Sequence, residues 1–236
     1  MKVAIIPARE KSKRIKNKNI KKFLGTPIVE ITFNKLKSYK IFDKIILDTE
    51  SEKIIKATKH LNFDSIIKRP KFLSNDKTST YQVIDHAIKI LKKDFKNITN
   101  LTCVYPCNPF LKKKLFVEAF KKLKKKNDFA FIVQEFPSPI ERRLIEKKNS
   151  FIFVNKNNIK KGSQEFKKSY YDCGQFYTAS LSAWKNINKN FKCVIVPKFS
   201  TIDINDINDW SFSEKIFKFL INEKNNHISD KYYDFA

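Results

Sequence analysis

The chain has 236 residues, a formal net charge of +25, 42% hydrophobic residues and 14% aromatic residues. That apolar content supports a buried core and excludes a disordered chain. No apolar run approaches the ~20 residues that cross a bilayer, so a cytoplasmic protein without a membrane span is expected.

The charge suggests nucleic acid, yet only five of the 49 basic residues are arginine. Arginine is the side chain suited to bidentate phosphate and base-edge contacts. The lysines decorate every helical stretch, so they read as solvated faces, and no specific nucleic-acid partner is expected. Four cysteines and three histidines show no zinc-ligand spacing and read as free thiols and structural imidazoles.

Val3-Ala4-Ile5-Ile6, closed by Pro7, has the pattern of a buried strand. The loop after it carries Arg9, Lys11, Lys13, Arg14, Lys16 and Lys18 against the single acid Glu10. Open α/β sheets bind ligands at the carboxyl ends of their strands, so this loop predicts a nucleoside triphosphate cradle. Pro27 opens a helical pattern with Ile28, Ile31, Thr32 and Leu36 on one face. A second strand, Lys44 to Thr49, precedes a helix capped by Ser51, and Ser65 to Lys68 forms a third strand ending at Arg69-Pro70. A polar turn from Leu73 to Thr80 leads into a helix carrying Val83, Ile84, Ala87, Ile88 and Leu91. Leu101 to Tyr105 is a fourth strand, Phe116 to Leu123 a helix, and Phe129 to Val133 a fifth strand.

Strand and helix alternate throughout, which predicts an α/β fold with a doubly wound, mostly parallel sheet. The rhythm breaks over 136–169, rich in proline, asparagine and lysine, which predicts an inserted hairpin serving as a lid or dimerisation arm. Strands at Tyr170–Ala179 and Cys193–Val196 and a helix at Asn208–Leu220 follow. The domain is expected to span 1–221, with a polar tail over 222–236.

Polar groups gather at strand ends: the basic loop, Asp48-Thr49-Glu50, Arg69 with Asp76 and Thr80, Tyr105, Asp172 and Asp203. Only Gly25, Gly162 and Gly174 are present, which excludes a P-loop and a dinucleotide fingerprint. A cradle here must use cationic and hydroxyl side chains. Isolated acids among them suit a magnesium ion.

The run from Ile5-Ile6-Pro7-Ala8-Arg9 through Ser12-Lys13-Arg14 to Lys18-Asn19-Ile20 resembles the nucleotide signature of the cytidylyltransferases that activate nonulosonic acids, the sialic acid group. Further blocks follow in order: Thr49-Glu50-Ser51, Arg69-Pro70 to Thr80, Tyr105-Pro106-Cys107-Asn108-Pro109-Phe110, Phe136-Pro137 to Arg142, Asp172-Cys173-Gly174-Gln175-Phe176-Tyr177, and Asp203-Ile204-Asn205 to Trp210. Their form is nearer the pseudaminic acid branch than the N-acetylneuraminate branch.

The resemblance implies a nucleotide-diphospho-sugar transferase-like fold and a homodimer. It also implies transfer of CMP from CTP to a nine-carbon 2-keto acid sugar, for surface glycan or flagellin glycosylation. Carried over by position, Ala8, Arg9, Ser12, Lys13, Lys18 and Asn19 would hold the triphosphate, and Arg69 and Thr80 the cytidine. Tyr105, Arg142, Gln164 and Asp172 would face the sugar, with Arg142 on its carboxylate. Asp203 and Asn205 would hold Mg²⁺, and Arg9, Lys18 and Asp203 would form the catalytic group.

Three departures stand out. Glu10-Lys11 occupies positions where the family commonly has glycines, and the usual Asp-x-Asp metal pair is Asp203-Ile204-Asn205. Gly162 replaces an arginine often found before Ser163-Gln164, leaving Lys160 or Lys161 as substitutes. Asp203, taken without the resemblance, serves equally as a helix-capping acid. The competing class is a non-catalytic relative that only binds nucleotide, or a basic RNA-binding protein.

Overall fold

The structure is a computed structural model and describes residues 1–186 and 190–225. Strand β1 (Lys2–Pro7) leads into the basic loop, then a short hairpin of β2 (Lys22–Phe23) and β3 (Thr26–Pro27). Helix α1 (Ile28–Tyr39), β4 (Lys44–Thr49), α2 (Glu52–Thr58) and β5 (Ser65–Lys68) follow. Next come α3 (Thr80–Asp94), β6 (Asn100–Val104), α4 (Lys113–Lys122) and β7 (Asp128–Glu135). A hairpin of β8 (Leu144–Lys147) and β9 (Ser150–Phe153) stands between β7 and β10 (Tyr170–Ala179). Helix α5 (Leu181–Lys185), β11 (Asn190–Val196) and α6 (Ile207–Asn225) complete the described elements.

Pro27 stands at the cap of α1, one position before its first turn, where its missing N–H leaves nothing unpaired. Ser51 caps α2, accepting from the Ile54 N–H at 3.2 Å, a contact worth about 1 kcal/mol. The last helix extends beyond the expected Leu220 to Asn225. Residues 222–225 of the expected tail therefore belong to it, and 226–236 lie outside the described residues.

The seven-stranded sheet has the order β11-β7-β10-β6-β1-β4-β5. Every strand runs parallel except β10, which pairs antiparallel with both β6 and β7. Alternation along β1 feeds two cores. Val3 and Ile5 pack with Ile84, Ala87, Ile88 and Leu91 of α3 and Trp184 of α5. Ala4 and Ile6 pack with Val29, Phe33 and Leu36 of α1 and Leu115 and Phe116 of α4. All four side chains are fully buried, as expected of a parallel strand covered on both faces.

From β1 the chain winds outward through β4 and β5, then crosses back to lay β6 on the other side of β1. The strand order therefore reverses between β1 and β6, and a crevice opens at their carboxyl ends. A small third core gathers Ile15 of the basic loop, Phe23, Ile28, Cys107, Ile204 and Trp210. It pins the basic loop against the segment leading into α6, with Phe23 and Trp210 edge to face at 5.6 Å.

Candidate functional site

The crevice is a cavity of about 880 Å³, and its walls come from five segments distant in sequence. The loop after β1 supplies Arg9, Ser12, Lys13, Arg14, Lys18 and Asn19. The segment from β5 to the start of α3 supplies Arg69, Asp76 and Thr80; the turn after β6 supplies Tyr105, Cys107 and Asn108. Strand β10 contributes Asp172, Gly174 and Tyr177, and the segment before α6 contributes Asp203 and Asn205. The volume falls in the range of small-molecule sites.

Internal hydrogen bonds shape the basic loop. Asn19 Nδ2 donates to the Arg9 carbonyl at 2.8 Å, and Cys107 Sγ donates to Asn19 Oδ1 at 3.4 Å. Burial pushes the Cys107 thiol up to about 12, so it remains a protonated donor and not a nucleophile. Lys18 Nζ donates to the Ile204 carbonyl, joining the loop to the opposite wall. Arg9 and Lys13 both pair with Asp76, at 2.9 and 2.7 Å. Glu10 is not among the cavity-lining residues: its carboxylate accepts from Ser51 Oγ at 2.5 Å, and its N–H donates to Glu50 at 2.8 Å.

The opposite wall depends on an irregular strand. Asp172 and Tyr177 are five residues apart, an odd separation that sends side chains of a regular strand to opposite faces. A shift of register lies between them, with Gly174 at φ +60°, and both side chains line the cavity. Asp172 accepts from the Gly174 N–H at 2.8 Å and from Tyr177 OH at 2.5 Å. Tyr177 meets Tyr105 edge to face at 5.8 Å, and Tyr105 OH shares a hydrogen bond with Thr80 Oγ1 at 2.5 Å. Burial pushes Tyr105 up to about 12 and raises Tyr177 further, the neighbouring Asp172 adding to the latter. Both phenols are therefore hydrogen-bond donors at neutral pH.

On the side of α6, Asn205 Nδ2 donates to Asp203 Oδ2 at 2.6 Å, while its Oδ1 accepts from Arg14 Nη2 at 2.8 Å. The reversed amide would face nitrogen to guanidinium and oxygen to carboxylate, so this orientation is determined by its partners. The cap of α6 is Asp206, which accepts from the N–H groups of Asn208 and Asp209. Asp203 is thus released from capping. Among the described residues no group of three or more His, Cys, Asp or Glu forms a metal site. One carboxylate still suits Mg²⁺, which keeps several waters and takes substrate phosphates as partners.

Of the residues singled out in the sequence, Arg9, Ser12, Lys13, Lys18, Asn19, Arg69, Thr80, Tyr105, Asp172, Asp203 and Asn205 line this one cavity. Ala8 does not. It is fully buried against Leu47 and Ile54, and its N–H donates to the Asp48 carbonyl at 2.8 Å. Arg142 and Gln164 are exposed and stand outside the cavity wall, in the 136–169 excursion. Tyr177 lines the wall without having been assigned a site role from the sequence, and Arg14 and Asp76, named there only within the basic loop and among the polar groups at strand ends, line it too.

Comparison with known proteins places the same segments in a family. A family model described as Cytidylyltransferase matches residues 3–176. A pseudaminic acid cytidylyltransferase of Campylobacter jejuni is 31% identical over 222 residues, covering 92% of this chain and 96% of that protein. A Helicobacter pylori protein named pseudaminic acid cytidylyltransferase and UDP-2,4-diacetamido-2,4,6-trideoxy-beta-L-altropyranose hydrolase is 28% identical, covering 87% of this chain and 40% of that one. In fold, the chain is similar to a CMP:2-keto-3-deoxy-manno-octonic acid synthetase complexed with CTP. That match has a TM-score of 0.67 at 12% identity, covering 92% of this chain and 98% of the other. A basic loop after β1, a reversal of strand order beside it and a family match running into β10 thus converge, and the chain belongs to the cytidylyltransferase family.

Proposed function

We propose that this cytidylyltransferase joins CMP from CTP to a nonulosonic acid, with pseudaminic acid the favoured substrate, and releases pyrophosphate. One observation carries the reading. A single cavity has a cationic loop on one wall and an acid held by tyrosine and backbone on the other. The sugar identity is supported by the name and 31% identity of the Campylobacter jejuni relative.

In this reading Arg9, Ser12, Lys13, Lys18 and Asn19 cradle the triphosphate, and Arg69 and Thr80 receive the cytidine. Tyr105 and Asp172 orient the sugar, so that its anomeric hydroxyl lies in line with the α-phosphorus. The bond from α-phosphorus to the bridging oxygen breaks as the sugar oxygen bonds to phosphorus, and the hydroxyl proton passes to solvent. Arg9 and Lys18 offset the charge that develops on the phosphates and on departing pyrophosphate. Asp203 would hold Mg²⁺, which supplies additional charge neutralisation at those oxygens when bound.

The expected domain over 1–221, extended by the last helix to residue 225, acts as one nucleotidyltransferase domain with an insertion over about 136–169. That insertion exposes Leu144, Ile145, Phe151, Val154 and Ile159 and carries Arg142 and Gln164 away from its own cavity. These features support a homodimer in which the arm of one copy brings Arg142 and Gln164 to the sugar side of the other. No helix among the described residues is long and apolar enough to cross a membrane.

Incubation with CTP, Mg²⁺ and a panel of nonulosonic acids, read as pyrophosphate release, tests the function. Turnover strongest with pseudaminic acid is expected. Bound CTP without turnover of any nonulosonic acid would instead favour the non-catalytic binder.

A further inference from the structure

Behind the cavity wall lies a charge cluster of which the reaction scheme uses only Arg69. Asp48, at the end of β4, is completely buried, in a strand position flanked by Pro7 of β1 and Ile67 of β5. Its carboxylate lies 3.1 Å from Arg69 Nε, while Arg69 Nη2 is 3.3 Å from Glu50 Oε2. The three side chains are 0%, 4% and 10% exposed respectively for Asp48, Arg69 and Glu50. A buried acid in an otherwise apolar strand needs compensation, and here the compensation is a guanidinium that also lines the cavity.

We infer that Asp48 is a positioning residue that holds Arg69 in place for the nucleotide, so that its ionisation sets the affinity for CTP. The inference rests on the reading of Arg69 as a nucleotide contact. A buried guanidinium hydrogen-bonded to Glu50 and in ionic contact with Asp48 is restricted in its rotamers before the ligand arrives, which favours binding by pre-organisation.

Two carboxylates facing one cation leave the cluster one negative charge in excess. Desolvation raises Asp48 to about 7, Arg69 opposing and Glu50 reinforcing the rise. Above that pH Asp48 is ionised and grips Arg69. Below it Asp48 is neutral, and Glu50 alone remains as the charged partner. The other titratable groups facing the cluster are Cys103 of β6 and His86 of α3. Burial raises the Cys103 thiol, keeping it protonated, and burial lowers His86 from its ordinary value.

Calorimetric titration of the full chain with CTP from about pH 6 to about pH 8.5 tests the inference, comparing wild type with Asp48→Asn and Glu50→Gln. Wild-type affinity should fall roughly five- to tenfold between pH 8 and pH 6 relative to Asp48→Asn, a coupling of ordinary size. The nucleotide's own phosphate titration is common to all three proteins and cancels in that comparison, as does any titration of His86. Asp48→Asn should bind weakly with no further pH dependence of its own. Glu50→Gln removes the charge that raises Asp48 and should move the wild-type midpoint to lower pH, a readout that remains if Asp48→Asn fails to fold.

Wild-type and Asp48→Asn curves that superimpose overturn the inference while leaving the cavity reading intact. An unmoved midpoint in Glu50→Gln overturns it as well. A wild-type protein that binds no CTP at any pH overturns the cavity reading and this inference together.

Discussion

Arg14 Nη2 donates to Asn205 Oδ1 at 2.8 Å, joining the basic loop to a residue 191 positions later. The contact engages one of the two lone pairs of the Asn205 amide oxygen, while its nitrogen faces Asp203. In the proposed reading Asp203 is the carboxylate that would meet Mg²⁺. Asn205→Asp adds a unit of negative charge beside it and should tighten divalent-ion binding by roughly tenfold, since an opposite charge at this range is worth about a kcal/mol or more. Mn²⁺ binding by electron paramagnetic resonance in the presence of CTP measures this directly, and the Mg²⁺ dependence of pyrophosphate release should follow. An unchanged ion affinity would remove position 205 from the metal's surroundings.

Asp76 pairs with Arg9 and Lys13, two of the cations expected to hold the triphosphate. Those pairs hold the Asp76 carboxyl below its usual range. Phosphate binding must compete with this internal counter-ion. Asp76→Asn should lower the KM for CTP by roughly two- to fivefold, the modest scale of exposed ion pairs, with kcat unchanged. High salt should shrink the difference between variant and wild type, because exposed pairs are screened. A raised KM would show that Asp76 serves the nucleotide instead of competing with it.

Much of this site was legible because its pieces sit at strand ends, where an apolar run stops and polar residues begin. Pro7 before Arg9, Lys68 before Arg69 and Val104 before Tyr105 all mark such ends, and all three polar residues line the cavity. Partner choice was not legible. Glu10 stands in the sequence as the single acid of the basic loop, yet it docks on Ser51 and Glu50, a contact spanning about forty residues that no local pattern encodes. The reversal of β10 was equally hidden. Strand propensity carries no direction, and only the bulge near Gly174 shows why Asp172 and Tyr177 share a face. Arg142 and Gln164 sit in loops whose place is set by the arm as a whole.

Tyr177 OH donates to Asp172, whose other oxygen accepts from the Gly174 N–H. Tyr177→Phe removes one of the two donors that orient this carboxylate and keeps the ring contact with Tyr105. Hydrogen bonds to a charged group contribute about 1.5–3 kcal/mol, so the KM for the sugar should rise roughly tenfold. The KM for CTP should stay within about twofold, since the phenol faces the acid assigned to the sugar. Equal losses for both substrates would show that the pair shapes the whole cavity.

Glu10 clamps the start of the basic loop onto the end of β4, accepting from Ser51 Oγ and donating its N–H to Glu50. The clamp takes the place of backbone freedom: the loop is held by side-chain contacts where a glycine pair would leave it loose. Glu10→Ala removes the Ser51 contact, worth about 1 kcal/mol, and should lower Tm by roughly 2–4 °C for a domain of this size. The KM for CTP should rise several-fold as Arg9 loses its fixed anchor. Glu10→Gln keeps an oxygen that accepts from Ser51 and should restore most of both. If Glu10→Gln is as impaired as Glu10→Ala, the charge of Glu10 and not its hydrogen bond holds the loop; if neither changes KM or Tm, the clamp has no hand in shaping the cradle.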